Sequence, residues 1–367
     1  MKIAYDAKRF FHNSSGLGNY SRDLVRILAN AFPENEYFLL NKNESEKGSE
    51  VQDLPNVSYV KTSSGKFARQ LSLGKEAQNL DADIFHGLSG ELPLKWNKKP
   101  VKKIVTIHDL IFIRYPKYYS WFDRKIHFWK FKKAAENADL IIAISEQTKR
   151  DIIKFLKVPE SKIRVVYQGC HKSFKEKLSD DFLQQTKSKF KLPERFILSV
   201  GTVEERKNLL RVVQALKDTN VALVVVGKNQ KKYYTKIQKF LKKNKVDVQF
   251  LEGVSMHELA ALYRLADFSV YVSQFEGFGI PIIESLFSGT PVVAGNISSL
   301  PEAGGPGAVY VNPENSNDIR SKILHLWENK AERNRRAEAG SAYVQNHFTD
   351  EKIASELMNS YLSVLKK

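Results

Sequence analysis

The segment Glu276-Gly277-Phe278-Gly279-Ile280-Pro281-Ile282-Ile283-Glu284 follows closely on the strand-like run Phe-Ser-Val-Tyr-Val at 268–272. An apolar strand, a glycine-bearing loop and a helix in that order make one βα unit of a parallel sheet. Gly277 and Gly279 let the backbone approach a ligand, and Pro281 suits the first turn of a helix, where free amides favour an anion. Glu276 in the loop and Glu284 in the first turns of the helix then flank the anion and can accept hydrogen bonds from sugar hydroxyls. Phe278 and Ile280 complete the ligand-facing loop, and Gly289 stops the helix. Taken singly, Glu276 and Glu284 could be ordinary helix-end acids stabilised by the macrodipole. The whole pattern points instead to an anion site flanked by two acids.

The same alternation of strand and helix extends in both directions. Short apolar runs at 2–5, 37–40, 83–86, 103–107 and 140–144 read as buried strands, and the pattern recurs at 196–200, 222–226, 248–251, 268–272, 292–294 and 309–311. Two parallel sheets, each with its own core, suit a chain of 367 residues. Ligands of such sheets gather beyond the carboxyl ends of the strands. The polar, lysine-rich stretch 168–191 predicts a linker, with one Rossmann-like domain over 1–171, a second over 172–345 and a terminal helix over 346–367. In that helix Ile353, Leu357, Tyr361 and Leu365 recur every fourth residue behind a Thr349 cap.

Composition narrows the partners. A single cysteine, Cys170, cannot form an intramolecular disulfide, and the start Met1-Lys2-Ile3-Ala4-Tyr5-Asp6 turns polar at once, which predicts a reducing cytoplasm. No apolar run approaches the roughly 20 residues that span a bilayer. The net charge of +17 admits nucleic acid, an anionic membrane surface or phosphorylated small molecules. No zinc-finger spacing or RNA-binding signature accompanies the basic residues, so the prediction is no nucleic-acid partner.

Further candidates lie at other strand ends. In Ser199-Val200-Gly201-Thr202-Val203-Glu204-Glu205-Arg206-Lys207-Asn208, Arg206 and Lys207 could neutralise a diphosphate leaving group, or form a solvated pair. Gly16 and Gly18, in Ser14-Ser15-Gly16-Leu17-Gly18-Asn19-Tyr20, could contact phosphate or simply make a tight turn. His86 and His108 each end an apolar strand; His108 is followed by Asp109, and His86 is a candidate contact for an acceptor. Asp81-Ala82-Asp83 has the spacing of a divalent-metal site but precedes its strand, so it predicts a loop cap and no metal. Residues 118–133 mix aromatics with cations on a helix that could lie on an anionic bilayer or bury one face against the sheet.

Together these residues resemble the family-four glycosyltransferases of the GT-B fold, over nearly the whole chain. The resemblance implies two Rossmann-like domains facing a cleft, with the last helix crossing back to the first domain. It implies that Glu276 contacts the donor sugar and Glu284 the nucleotide ribose, that Arg206 and Lys207 bind the diphosphate, that Gly16 and Gly18 face the donor phosphate, and that His108 lies near the transferred sugar. Gly295-Asn296-Ile297-Ser298-Ser299-Leu300-Pro301-Glu302 is similar to a typical family loop. Two positions depart: Thr202 stands where many members carry arginine, and Gln168-Gly169 where many carry Asn-Gly.

The resemblance further implies transfer of a hexose with retention, from a nucleotide-diphosphate sugar and with no metal or other cofactor, to a glycan or lipid-linked acceptor. The segments 201–208 and 108–111 are similar to those of certain mannosyltransferases, which points to GDP-mannose and to surface polysaccharide assembly. The expected location is the cytoplasm, with peripheral contact at the inner face of the membrane. A nucleotide-sugar epimerase of the same fold, or a basic nucleic-acid-binding protein, are the alternatives.

Overall fold

A computed structural model describes every residue except 14, 15, 64, 66, 67, 98 and 367. It divides the chain into two compact units, Met1–Gly169 with Thr349–Lys367, and Cys170–Phe348. The first holds a seven-stranded sheet in the order β3-β2-β1-β4-β5-β6-β7. Its strands are β1 Lys2–Asp6, β2 Glu36–Asn41, β3 Val57–Lys61, β4 Ile84–Gly87, β5 Lys102–Ile107, β6 Leu140–Ala143 and β7 Ile163–Val165. Every pairing is parallel. β4 and β6 are buried along their whole length, as strands covered by helices on both faces must be.

Two of these strands escape the sequence reading, and both are edges. β3, Val-Ser-Tyr-Val-Lys, is largely solvent-facing, and β7 has only three residues, Ile-Arg-Val, so neither forms an apolar run.

The second unit holds six parallel strands in the order β10-β9-β8-β11-β12-β13. They are β8 Ile197–Val200, β9 Leu223–Val226, β10 Val248–Leu251, β11 Phe268–Tyr271, β12 Val292–Gly295 and β13 Ala308–Val311. Val225, Phe268, Val270 and Val293 meet Ile319, Ile323 and Leu326 of the helix Ser316–Glu328 in one core. In both sheets the strand order reverses beside the first strand, at β1/β4 and at β8/β11, and the crevice at the carboxyl end of such a reversal is where these folds take ligands. Both glutamate and cation segments sit at the β8/β11 reversal.

The stretch 168–191 is not an irregular linker throughout. Ser179 accepts the Phe182 N–H at 3.3 Å, and Asp180 and Asp181 occupy the first turn of the helix Asp180–Lys189. The cap and its acids compensate for weak apolar periodicity. The final helix, Asp350–Leu365, belongs to the first unit and starts at Thr349, whose hydroxyl accepts the Lys352 N–H at 3.4 Å. Ile353, Leu357 and Tyr361 are buried, and Arg26 of the helix Gly16–Ala31 reaches Asp350 at 2.7 Å.

Candidate active site

In the second unit, β8 ends at Val200 and is followed by Gly201, whose φ of +137° is a conformation glycine adopts freely. The chain then makes the short turn Glu205–Lys207 and enters the helix Leu209–Ala215 through Asn208. Asn208 is buried, and its amide donates to the carbonyls of Val272 at 3.2 Å and Pro313 at 2.7 Å. Those bonds tie the cation turn to the segment leaving β11. The ladder continues there, as Gln274 N–H donates to the Arg206 carbonyl at 2.8 Å and Arg206 Nη1 donates to the Phe275 carbonyl at 2.8 Å.

This bracing puts Glu276 between the two cations. Its Oε1 lies 2.6 Å from Lys207 Nζ, 2.7 Å from Arg206 Nη1 and 2.6 Å from the Ser273 hydroxyl. Lys207 also donates to the Tyr271 hydroxyl at 2.5 Å, and Arg206 Nη2 reaches Glu204 at 2.6 Å. Burial alone would raise the Glu276 pKa, but Lys207 and Arg206 outweigh it and hold the carboxyl down at about 2. Burial, with Arg206 beside it, lowers Lys207 despite Glu276, whereas the Glu276 and Glu204 carboxylates raise Arg206 against its burial. Thr202 borders the same small cavity as Lys207 and Tyr271.

The loop that follows is equally fixed. Glu276 N–H donates to the Ser298 hydroxyl at 3.2 Å, and the Ser299 hydroxyl donates to the carbonyls of Glu276 at 3.0 Å and Phe278 at 2.6 Å. Gly279, at φ +146°, precedes the helix Ile280–Phe287; a Cβ there would lie 3.1 Å from Ala303 Cβ. Glu284 is buried in that helix, 3.2 Å from the Tyr263 hydroxyl, and burial raises its pKa to about 7 although the tyrosine bond opposes the shift. Burial also raises the Tyr271 phenol, with both Glu276 and Glu284 adding to the effect, so both acids act on one side chain.

In the first unit, Gly16 and Gly18 open the helix Gly16–Ala31, while Ser14 and Ser15 lie outside the described residues. Gly18 N–H donates to Asn13 Oδ1 at 3.2 Å, and a Cβ at Gly18 would fall 2.0 Å from the Asn13 carbonyl oxygen, so close packing of the turn requires glycine there. A Cβ at Gly16 would meet no atom of the described residues within 4 Å. His108 follows β5, with Nε2 2.9 Å from the Leu88 carbonyl and Nδ1 3.0 Å from the Gln168 amide nitrogen. A carbonyl can only accept and an amide NH₂ only donate, so the ring is the neutral tautomer with its proton on Nε2. Burial lowers its pKa to about 4.

His86 does not face an acceptor. It is fully buried, with Nδ1 2.7 Å from the Tyr361 hydroxyl and Nε2 2.8 Å from the Thr106 hydroxyl, and burial lowers its pKa to about 3. The last helix, by bringing Tyr361 over the end of β4, converts the histidine into an anchor for that helix. The polar group at this strand end is instead Arg69, paired with Asp6 at 2.7 Å and Glu91 at 3.0 Å. Asp81 pairs with Lys99 at 2.6 Å, and Asp83 accepts the Lys2 N–H at 2.8 Å at the amino end of the sheet.

Tyr271, Ser273 and Tyr263 receive no role in the sequence reading of the site, and Glu204, Ser298 and Ser299 stand in the quoted segments without one. Tyr271 and Ser273 carried a usable signal, since they are the polar side chains closing the β11 segment, and Glu204 is two residues from Arg206; Tyr263, Ser298 and Ser299 are recruited from more distant parts of the chain.

Two family profiles divide the chain: "Glycosyltransferase Family 4" matches residues 14–173 and "Glycosyl transferases group 1" matches residues 180–343. The protein belongs to this family and is a glycosyltransferase. It is similar to O-antigen chain mannosyltransferase B of Escherichia coli, with 24% identity across 98% of this chain and 99% of the relative. It is 32% identical to O-antigen chain mannosyltransferase RfbU of Salmonella typhimurium across 60% of each chain. Among solved structures, Anabaena HepE in complex with UDP and glucose superposes with a TM-score of 0.77 at 17% identity, covering 99% of this chain and 100% of HepE, which shows the shared GT-B fold.

Proposed function

We propose that the protein transfers mannose from GDP-mannose, with retention and without a metal, to a glycan or lipid-linked acceptor in surface polysaccharide assembly. The observation that carries this reading is the convergence of Glu276, Arg206 and Lys207 on one point at the β8/β11 reversal. The names of the two relatives supply the choice of mannose.

In this scheme the donor diphosphate competes with Glu276 for Arg206 and Lys207, and the amides of Gly277, Phe278, Gly279 and Ile280 take a share of its charge. The released Glu276 carboxylate accepts from a sugar hydroxyl, and Glu284 accepts from the ribose. As the bond from the anomeric carbon to the phosphate oxygen breaks, the acceptor oxygen bonds to that carbon on the same face. Its proton passes to the departing phosphate, whose charge the two cations hold. The family resemblance assigns Gly16 and Gly18 to phosphate and His108 to the sugar. A neutral His108 serves by hydrogen bonding rather than by proton transfer.

Thermal shift with GDP, UDP and ADP and their sugars tests the donor. At about a hundred times its Kd, the matching nucleotide stabilises the chain by roughly 2.7 kcal/mol. Glu284→Ala should lose much of that shift. No response to any nucleotide, or an equal response in the variant, would defeat the assignment.

A further inference from the structure

The helix Trp121–Asn137 has two apolar faces where a surface helix normally has one. Its inner face is accounted for: Ala134 and Ala135 are buried, and the Phe131 ring packs edge-on against Phe112 at 5.3 Å between centroids. The outer face carries Phe122, Ile126 and Trp129 at positions i, i+4 and i+7, which line up as one stripe along a helix. They are 73%, 51% and 49% exposed, and Trp121 beside them is 61% exposed. Single exposed apolar residues are ordinary, but a contiguous aromatic stripe marks an interaction surface.

The cations around the stripe identify what it meets. Lys117, Lys125 and Lys132 lie 5.0, 5.5 and 5.9 Å from the ring centroids of Tyr118, Trp121 and Phe128, and among the described residues none of the three is ion-paired with a carboxylate. Asp123, the acid in the first turn, is engaged with the Ser120 hydroxyl at 2.7 Å. Arg124 lies on the wall of an apolar cavity of about 230 Å³ formed with Phe112, Trp121 and Phe128, and its Nε is buried with no hydrogen-bond partner among the described residues. Apolar depth next to unpaired cations suits a surface whose phosphates lie above hydrocarbon. A two-fold pairing of this face with a second copy would set lysine against lysine, which disfavours that occupant.

We infer that this face of the helix is the docking surface for an anionic bilayer. Phe122, Ile126 and Trp129 enter the boundary between headgroups and acyl chains, and Lys117, Lys125 and Lys132 lie on lipid phosphates. The inference deepens the membrane-side reading of the acceptor and is independent of which sugar is transferred.

The test is cosedimentation of the full chain with phosphatidylcholine vesicles, with and without about a third phosphatidylglycerol, alongside sedimentation velocity without lipid. The expected result is binding to the anionic vesicles alone, weakened by salt, together with a blue shift of tryptophan fluorescence. The triple variant Phe122→Ser/Ile126→Ser/Trp129→Ser should bind roughly tenfold or more weakly, and so should Lys117→Glu/Lys125→Glu/Lys132→Glu, given the contribution of each basic residue near such a surface. The altered positions are exposed except for the half-buried Lys132, and both variants should keep the native nucleotide-induced thermal shift, so loss of vesicle binding is separable from loss of the donor site. Unaltered vesicle binding by both variants, equal binding to neutral vesicles, or a native dimer that the serine variant converts to monomers would overturn the inference.

Discussion

Lys207 Nζ lies 2.6 Å from Glu276 Oε1, and Arg206 Nη1 lies 2.7 Å from the same oxygen. One carboxylate thus pairs with both cations proposed to hold the donor diphosphate, and Glu204 pairs with Arg206 as well. A diphosphate arriving there must compete with an acid that the structure already presents.

Replacing that acid exposes the competition. Glu276→Gln leaves two partly buried cations short of a counter-charge, a loss on the order of 3 kcal/mol for breaking a buried ionic group. Its melting temperature should fall, and GDP should restore it by a larger shift than in the native chain because no carboxylate opposes phosphate. Melting curves with and without GDP check this; a native melt would show that the acid does not hold the cations.

Removing the cations should act on turnover. Arg206→Met and Lys207→Met should each lower kcat by roughly 10² to 10³, the usual loss when one donor to a developing anion is deleted. The double variant should lose less than the product, since both groups serve one charge. Steady-state rates with a fixed acceptor would decide, and native kcat in either single variant would contradict the assignment.

Two acids of opposite character set the pH dependence. Glu284 titrates at about 7, above an ordinary glutamate, so the folded chain holds its proton more tightly than the unfolded chain does. Its stabilisation is complete below the unfolded pKa of about 4.3 and is lost as pH rises through about 7, a change of roughly 4 kcal/mol. Glu276, held at about 2, contributes in the other direction: its stabilisation is present above the unfolded pKa and disappears as pH falls toward 2. Chemical denaturation across pH should show both limbs, and Glu284→Gln should flatten the upper one alone. An unaltered upper limb in that variant would remove Glu284 as its source.

Tyr361→Phe should leave His86 Nδ1 buried without its partner, at a cost of about 1 to 3 kcal/mol. That corresponds to a fall of several degrees in the melting of the first unit. The donor KM should not change, because Tyr361 and His86 form an anchor rather than a contact with substrate. A raised KM with a native melt would reverse that conclusion.

Much of this was legible in the residues. The inner strands of both sheets announce themselves as apolar runs, because burial on both faces leaves little room for polar alternation. Arg206, Lys207, Glu276 and Glu284 stood out because glycine turns and a proline at a helix start mark the loops that carry them. His86 was misread for the complementary reason: a histidine at a strand end looks the same whether it meets solvent or a tyrosine 275 positions later.

The sequence by itself determined the class of fold, the glycine-bearing loops at the strand ends and the cations and acids they carry, since hydrophobic period, turn chemistry and residue charge are local properties. Tertiary structure alone decided that Tyr271 and Ser273 join Glu276, that Tyr263 touches Glu284, that His108 is neutral, and that Phe122, Ile126 and Trp129 on the outer face of Trp121–Asn137 are exposed. Those outcomes depend on which distant side chains the folded backbone brings within about 3 Å, and hydrogen bonding and desolvation respond to that distance rather than to separation along the chain.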